Sequence, residues 1–383
     1  MKIFKKIIIF LYLISFLTGH KISAQEKIKI GLLVPISGPD SKMGNSIIKS
    51  VRLAINKIDN SFIEIIPKDT KSDPLETLEV AKELYNEGVK IVIGPVFNKN
   101  LVYLDEMNEM IFLSLSNKII NNPKNIISAG INADSQLRTI SRFQIMNDLK
   151  KTIFLIPKKN YKEEIEKGIK LSKVKANKVY YYDSDPTQIT NRIEKITKYS
   201  QRKRNLADEI KRLEELNENN NEKKIQNLKK RDTIGKLGFD SIVISDFDES
   251  LKSVTTSLLY TDVSPKKVYF ITLNQWFDES LLKETSSQPL YFPSINKKNF
   301  DEFTQNYYNT FSEYPNQLSF LSYDLVGLVY YLILKNDYSI DKKIFIKKSM
   351  FKGKIGIFEI KDNKINHILN LYEVNNKKFK KIF

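Results

Sequence analysis

Apolar positions along this chain alternate between two rhythms. The stretch "IKIGLLVPI" (28–36) is nearly continuous in apolar residues, as a parallel strand covered on both faces would be. Behind it, Ile47, Val51, Ala54, Ile55 and Ile58 fall at helical spacing. "FIEIIP" (62–67) reads as a second strand. "DPLETLEVAKELYNEG" (73–88) then carries the signals of a complete helix: Asp73 as N-cap, Pro74 at the first position, Glu76 closing a capping box and Gly88 as a stop. Strands are expected again at "VKIVIG" (89–94) and "MIFLSLS" (110–116). The pattern restarts after Ala133, where Leu137, Ile140 and Phe143 mark a helix. It continues through "TIFLIP" (152–157), "KVYYYD" (178–183), "SIVIS" (241–245) and "KVYFIT" (267–272) with helices between. Strand alternating with helix at this spacing predicts a parallel sheet between helical layers. Two such runs in one chain predict two lobes with a cleft between them.

One segment breaks the rhythm. Ile189, Ile193, Ile196, Leu206, Ile210 and Leu213 mark an amphipathic helix with a polar gap, and "NENNNEKK" (217–224) reads as a turn before a helix through Ile225 and Leu228. The pattern predicts a helical hairpin, 189–234, inserted in the second lobe. At the other end of the chain, Lys2, Lys5 and Lys6 precede an apolar run from Ile7 to Leu17, and the small pair Ser23 and Ala24 follows. This pattern predicts a signal peptide over 1–24, cut after Ala24. The expected product is exported to the periplasm and not embedded in the membrane.

Composition narrows the chemistry. The chain has no Cys, hence neither a disulfide nor a lipidated cysteine, and no lipoprotein is expected. The formal charge of +17 falls to +13 once the four lysines of residues 1–24 are removed. The cations are spread among Asn, Ile and Tyr along the chain, so no nucleic-acid partner is expected. Local exceptions are "KYSQRKR" (198–204) and "KKFKK" (377–381). Outside the signal segment the only histidine is His367. A Ser-His-Asp triad, a Cys nucleophile and a His-based zinc site therefore lack their residues. No GxGxxG or GxxxxGK[ST] occurs. The sequence implies no metal, no cofactor and no catalytic constellation, and the acids of "SDFDES" (245–250) fit helix capping.

Doubly wound sheets bind ligands beyond the carboxyl ends of their strands. That places the loop after the first strand, with Ser37, Gly38, Ser41 and Gly44, among the candidates. Gly38 and Gly44 would let backbone approach a ligand, but on local sequence alone an ordinary βα turn with a Ser cap reads the same residues better.

Three longer stretches carry a resemblance: "IGLLVPISGPDSKMG", "DTKSDPLETLEVAKELYNEGVKIVIGPVFN" and "YNTFSEYPNQLSFLSYDLVGLVYYLI". In this order they resemble the signatures of type I periplasmic binding proteins of the leucine/isoleucine/valine-binding family. Within it, "FLSLSN" (112–117), the helical insertion and "LLYTDVSPKKVYFITLNQW" (258–276) are most similar to the penicillin-binding protein activator branch. The resemblance implies two Rossmann-like lobes joined by hinge crossovers, assigned here as 25–130 plus 291–350 and 131–290 plus 351–383. It implies a non-catalytic protein holding a small polar ligand, an amino acid or a cell-wall fragment, with an ABC permease as partner. The branch offers the alternative of a regulator that contacts a peptidoglycan synthase. By alignment, the ligand-holding hydroxyls of the amino-acid binders fall near Asn98 and near Ser116, Asn117 and Lys118, where Lys118 would suit an anionic group or point to solvent. Ser37 and Gly38 join them in the first lobe. The second lobe offers Tyr161, in "KKNYKEE", as a lid over the ligand or a helix-entry residue, and Asp246.

Overall fold

A computed structural model describes residues 27–59, 62–216, 221–340 and 342–383; the expected signal peptide lies outside them. In the first lobe, β1 (Ile28–Val34), α1 (Ser41–Ile58), β2 (Ile63–Asp69), α2 (Pro74–Asn86), β3 (Ile91–Ile93), β4 (Ile111–Ser114) and β5 (Ile126–Ser128) follow in order. Their strands form an all-parallel sheet in the order β2-β1-β3-β4-β5. α1 turns Ile47, Val51 and Ala54 into the core, as its spacing predicts. Gly44 is there for packing: a Cβ would lie 1.7 Å from the Pro35 carbonyl oxygen, so only glycine lets α1 sit against the β1 loop. Asp73 caps α2 by accepting from the N–H groups of Leu75 and Glu76. The expected capping box stays half made, because Glu76 pairs with Lys71 at 2.8 Å.

The second lobe repeats the plan. It runs through α3 (Ala133–Met146), β6 (Thr152–Pro157), α4 (Lys162–Ser172), β7 (Lys178–Tyr182), α5 (Pro186–Thr197), α6 (Tyr199–Glu215), α7 (Asn221–Lys229), β8 (Ser241–Ile244), α8 (Asp248–Tyr260), β9 (Tyr269–Thr272) and β10 (Leu290–Ser294). The order β7-β6-β8-β9-β10 is parallel and reproduces that of the first lobe position for position. α9 (Lys297–Phe311) and α10 (Gln317–Lys335) then return to the first lobe. There Ser46 of α1 meets Ser319 at 2.8 Å and Ser50 donates to the Ser319 carbonyl. By length and composition α10 could cross a membrane; here it is a core helix that buries Leu321, Leu325 and Val329. A three-stranded antiparallel sheet follows, made of β11 (Ser349–Lys352), β12 (Ile357–Lys361) and β13 (Lys364–Ile368). β14 (Asn370–Asn375) and β15 (Lys378–Lys381) finally extend the second sheet beside β10 in antiparallel sense.

Two expected boundaries move. β10 pairs with β9 and β14, so the return to the first lobe comes after Ser294 and not at 291. α5 is the crossover helix between β7 and β8: it buries Ile189 and Ile193, and Thr190 meets Ser257 of α8 at 3.0 Å. The left-handed Lys198 (φ 52°) breaks the helix there, and the insertion is confined to α6 and α7. Of the expected turn, Asn221–Lys224 are helical and 217–220 lie outside the described residues. The buried guanidinium of Arg202 anchors α6, donating to the carbonyls of Thr197 and Thr261 and to the Thr233 hydroxyl.

The three passages between lobes are bonded to one another. Asp324 of α10 accepts the Ile355 N–H at 2.7 Å, and the Ile355 carbonyl accepts from Asn296. On the other side, the His367 Nε2 lies 2.8 Å from the Ala129 carbonyl, and Asn132 donates to the Ile365 carbonyl. The small sheet is thus the brace of the hinge.

Candidate ligand cleft

A cavity of about 810 Å³ lies between the lobes. In the first lobe its wall is built by Val96, Phe97, Asn98 and Lys99 after β3 and by Leu115, Ser116, Asn117 and Lys118 after β4. In the second it is Phe247 and Asp248 after β8, and Asn274, Gln275, Trp276 and Asp278 after β9. Each lobe therefore contributes the loops that follow its third and fourth strands. Gln136 and Ile131, at the first crossover, close the back of the cavity.

Of the residues the sequence singled out, Asn98, Ser116, Asn117 and Lys118 stand together on this wall. The Asn98 Oδ1 is buried without a hydrogen-bond partner among the described residues. The Ser116 hydroxyl accepts the Lys118 N–H at 3.2 Å, and the Ser116 carbonyl accepts from Ser128 and Gly130. This turn presents the half-buried Lys118, whose ammonium has no ion-pair partner among the described residues.

Ser37, Gly38, Tyr161 and Asp246 do not line the cleft. Asp69, at the end of β2, accepts the N–H groups of Ile36 and Ser37 and the Ser37 hydroxyl at 2.5 Å, which draws the loop toward the outer strand. Those bonds hold the Asp69 carboxyl below its ordinary range against the opposing effect of burial. Gly38 serves the turn, at φ +78°. The mirror position in the second lobe is equally occupied. Asp246 is fully buried and takes Lys159 at 2.7 Å, Tyr182 at 2.7 Å, Tyr161 at 3.3 Å and the Phe247 N–H at 3.0 Å. Burial first, and the Asp246 charge second, push both phenols far above their ordinary range, so they remain donors. The network fixes the Phe247–Asp248 loop from beneath.

The residues that sequence reasoning missed sit after β9. Asn274 donates its N–H to Gln136 at 2.9 Å, and its Oδ1 accepts from Ser294 and from the Trp276 N–H. Trp276 and Phe277 are both left-handed, at φ 47° and 59°, a conformation costing roughly 1–2 kcal/mol per L-residue. Phe277 holds it by packing edge-on against Tyr372 at 4.9 Å and Phe379 at 5.6 Å. Trp276, the only tryptophan of the chain, is thereby held on the cleft wall. The signal was present in "LNQW", whose two amides and one indole follow a strand directly.

Residues 27–177 match the family model for periplasmic binding proteins. Its two-lobed architecture is the type I periplasmic binding protein fold. A segment of 104 residues is 27% identical to the uncharacterized protein RP748 of Rickettsia prowazekii, a match that spans 26% of this chain and 28% of that protein. Among solved structures, the chain is similar to the C-domain of LpoA from Haemophilus influenzae, a regulator of PBP1A, with a TM-score of 0.62 at 15% identity, covering 93% of this chain and 100% of that one. It is also similar to LivJ of Streptococcus pneumoniae in complex with isoleucine, with a TM-score of 0.55 at 18% identity over 93% and 98% of the two chains. LivK of Thermotoga maritima gives 0.56 at 14% over 93% and 98%. At these identities the likenesses speak for the fold alone. They include both ligand binders and a regulator.

Proposed function

We propose that this protein is an exported, non-catalytic receptor whose interlobe cleft closes on a small polar ligand bearing an acidic group. The observation that carries the reading is the wall itself: Lys118, without an ion-pair partner among the described residues, stands beside Asn98, Ser116 and Asn117 and faces Asn274, Gln275 and the indole of Trp276. Lys118 would receive the acidic group, the amides its hydroxyl or amino groups, and Trp276 an apolar or ring face. An amino acid or a cell-wall fragment fits that description, and an ABC permease would be the partner of the transport version. Export to the periplasm is proposed from the leader pattern of residues 1–24.

The test is thermal unfolding with and without saturating amino acids and muropeptide fragments. At a hundredfold excess over its dissociation constant, a ligand adds roughly 2.7 kcal/mol of stability, which Lys118→Gln should reduce. Absence of any stabilisation across the panel would refute the receptor reading.

A second reading is favoured by the likeness to the LpoA C-domain over that chain's full length and by the α6–α7 insertion. The protein would then regulate a peptidoglycan synthase through surface contacts. Capture of a synthase lost on deletion of 198–230, with the fold retained, would support it. Capture unaffected by the deletion would exclude the insertion as the contact.

A further inference from the structure

We infer that Glu164 is an interlobe latch that sets the angle between the lobes and positions Lys118 on the cleft wall. Glu164 stands in the first turn of α4, in the second lobe. Its carboxylate nevertheless accepts from the loop after β4 in the first lobe: from the Ile119 N–H at 3.1 Å to each oxygen and from the Ile120 N–H at 3.0 Å. The residue is 8% exposed, so water hardly competes for these bonds. Hydrogen bonds to an ionised acceptor are about twice as strong as neutral ones, and two consecutive N–H groups on one carboxylate fix a direction as well as a distance.

Both ends of the contact are rigidly mounted. α4 packs closely on α3, where a Cβ at Gly168 would meet the Ala133 side chain at 2.8 Å, and Ala133 directly follows the first crossover. At the other end, the Ser116 carbonyl holds the Gly130 N–H and Lys118 bonds to the Ser116 hydroxyl. Ile119 follows Lys118 in the chain, so the bonds that tie the lobes also fix the backbone that carries the cation. Close to the hinge, a small rotation released here is magnified at the cleft mouth. The role given to Lys118 rests on the receptor reading; the control of lobe angle does not.

The experiment uses ligand-free protein and compares wild type with Glu164→Gln, which keeps the shape of the side chain and removes the charge. Amide hydrogen exchange at Ile119 and Ile120 should be slow in wild type and roughly ten- to hundredfold faster in the variant. The radius of gyration from small-angle scattering should rise, and acrylamide should quench Trp276 more effectively. Equal exchange, scattering and quenching in the two proteins would overturn the latch. Should the variant not fold, wild type alone decides: rapid exchange of both amides would refute the inference, and protection of both would support it. Because no ligand enters the experiment, its failure leaves the receptor reading untouched, and a ligand panel that fails leaves the latch standing.

Discussion

His367 gives the hinge a pH dependence that can be worked out from its surroundings. The ring is 3% exposed, lies 4.7 Å from the Phe358 ring and sets its Nε2 2.8 Å from the Ala129 carbonyl. A carbonyl only accepts, so the Nε2 carries a proton, and the buried Nδ1 has no partner. Burial drives the imidazole pKa down from 6.5 to about 4, against the weaker support of the Ala129 and Gly130 backbone. The unfolded chain therefore binds a proton that the folded chain refuses between about pH 6.5 and pH 4, and stability falls as the medium is acidified through that window. Linkage gives a loss of about 2 kcal/mol by pH 5 and about 3 kcal/mol by pH 4. The measurement is urea unfolding at half-unit steps from pH 7.5 to 4.5 on wild type and His367→Gln. The variant has a constant penalty and no titration at this site, so wild type minus variant should shrink by about 2 kcal/mol between pH 7.5 and pH 5. Parallel curves would show that the ring protonates freely inside the folded hinge, and the sealed-hinge reasoning would be wrong.

Asp324 should produce the opposite trend. Burial raises its carboxyl to about 6 despite the N–H groups of Lys354 and Ile355, so the wild type should gain up to about 3 kcal/mol on Asp324→Asn as pH falls from 7 to 4, read by the same unfolding series. Gly44→Ala forces a methyl group into the Pro35 carbonyl and should cost at least about 2 kcal/mol, seen as a lowered thermal midpoint; a neutral outcome would remove the packing explanation for this glycine. Trp276 is the chain's sole indole, so ligand closure should shift and strengthen its emission. A ligand that stabilises the protein without moving that emission would bind elsewhere.

Most of the fold was legible because strand and helix periods differ and the chain keeps them apart. "TIFLIP" is the six-residue strand β6, and the Ile47, Val51, Ala54 stripe is the buried face of α1. What local pattern cannot carry is pairing between distant segments. β11 to β15 are short, and their role depends on partners such as Asn296, Asp324 and Ala129. The site was half legible for the same reason. Asn98 and Ser116–Lys118 follow from the family resemblance, and they line the cleft. Ser37 and Tyr161 were chosen from the loops after the first strands, where long-range carboxylates, Asp69 and Asp246, occupy their hydroxyls. Nothing within the Ser37 loop announces Asp69, 32 residues away. The hydrophobic stripe of 189–213 was read as one helix with a gap because a left-handed Lys198 leaves no mark in the apolar pattern.

The division of labour between the loops has a consequence for how such a protein can change over time. In each half, the loop after the first strand is committed to holding the framework, while the loops after the third and fourth strands face the cavity. Asn98, Asn117 and Lys118 can therefore be exchanged at small structural cost, and a lineage could alter what it recognises without first having to survive a less stable intermediate. Trp276 is the exception. Its strained turn is tied through Phe277 to the aromatic core, so the indole is the part of the cleft that should persist longest when the ligand drifts.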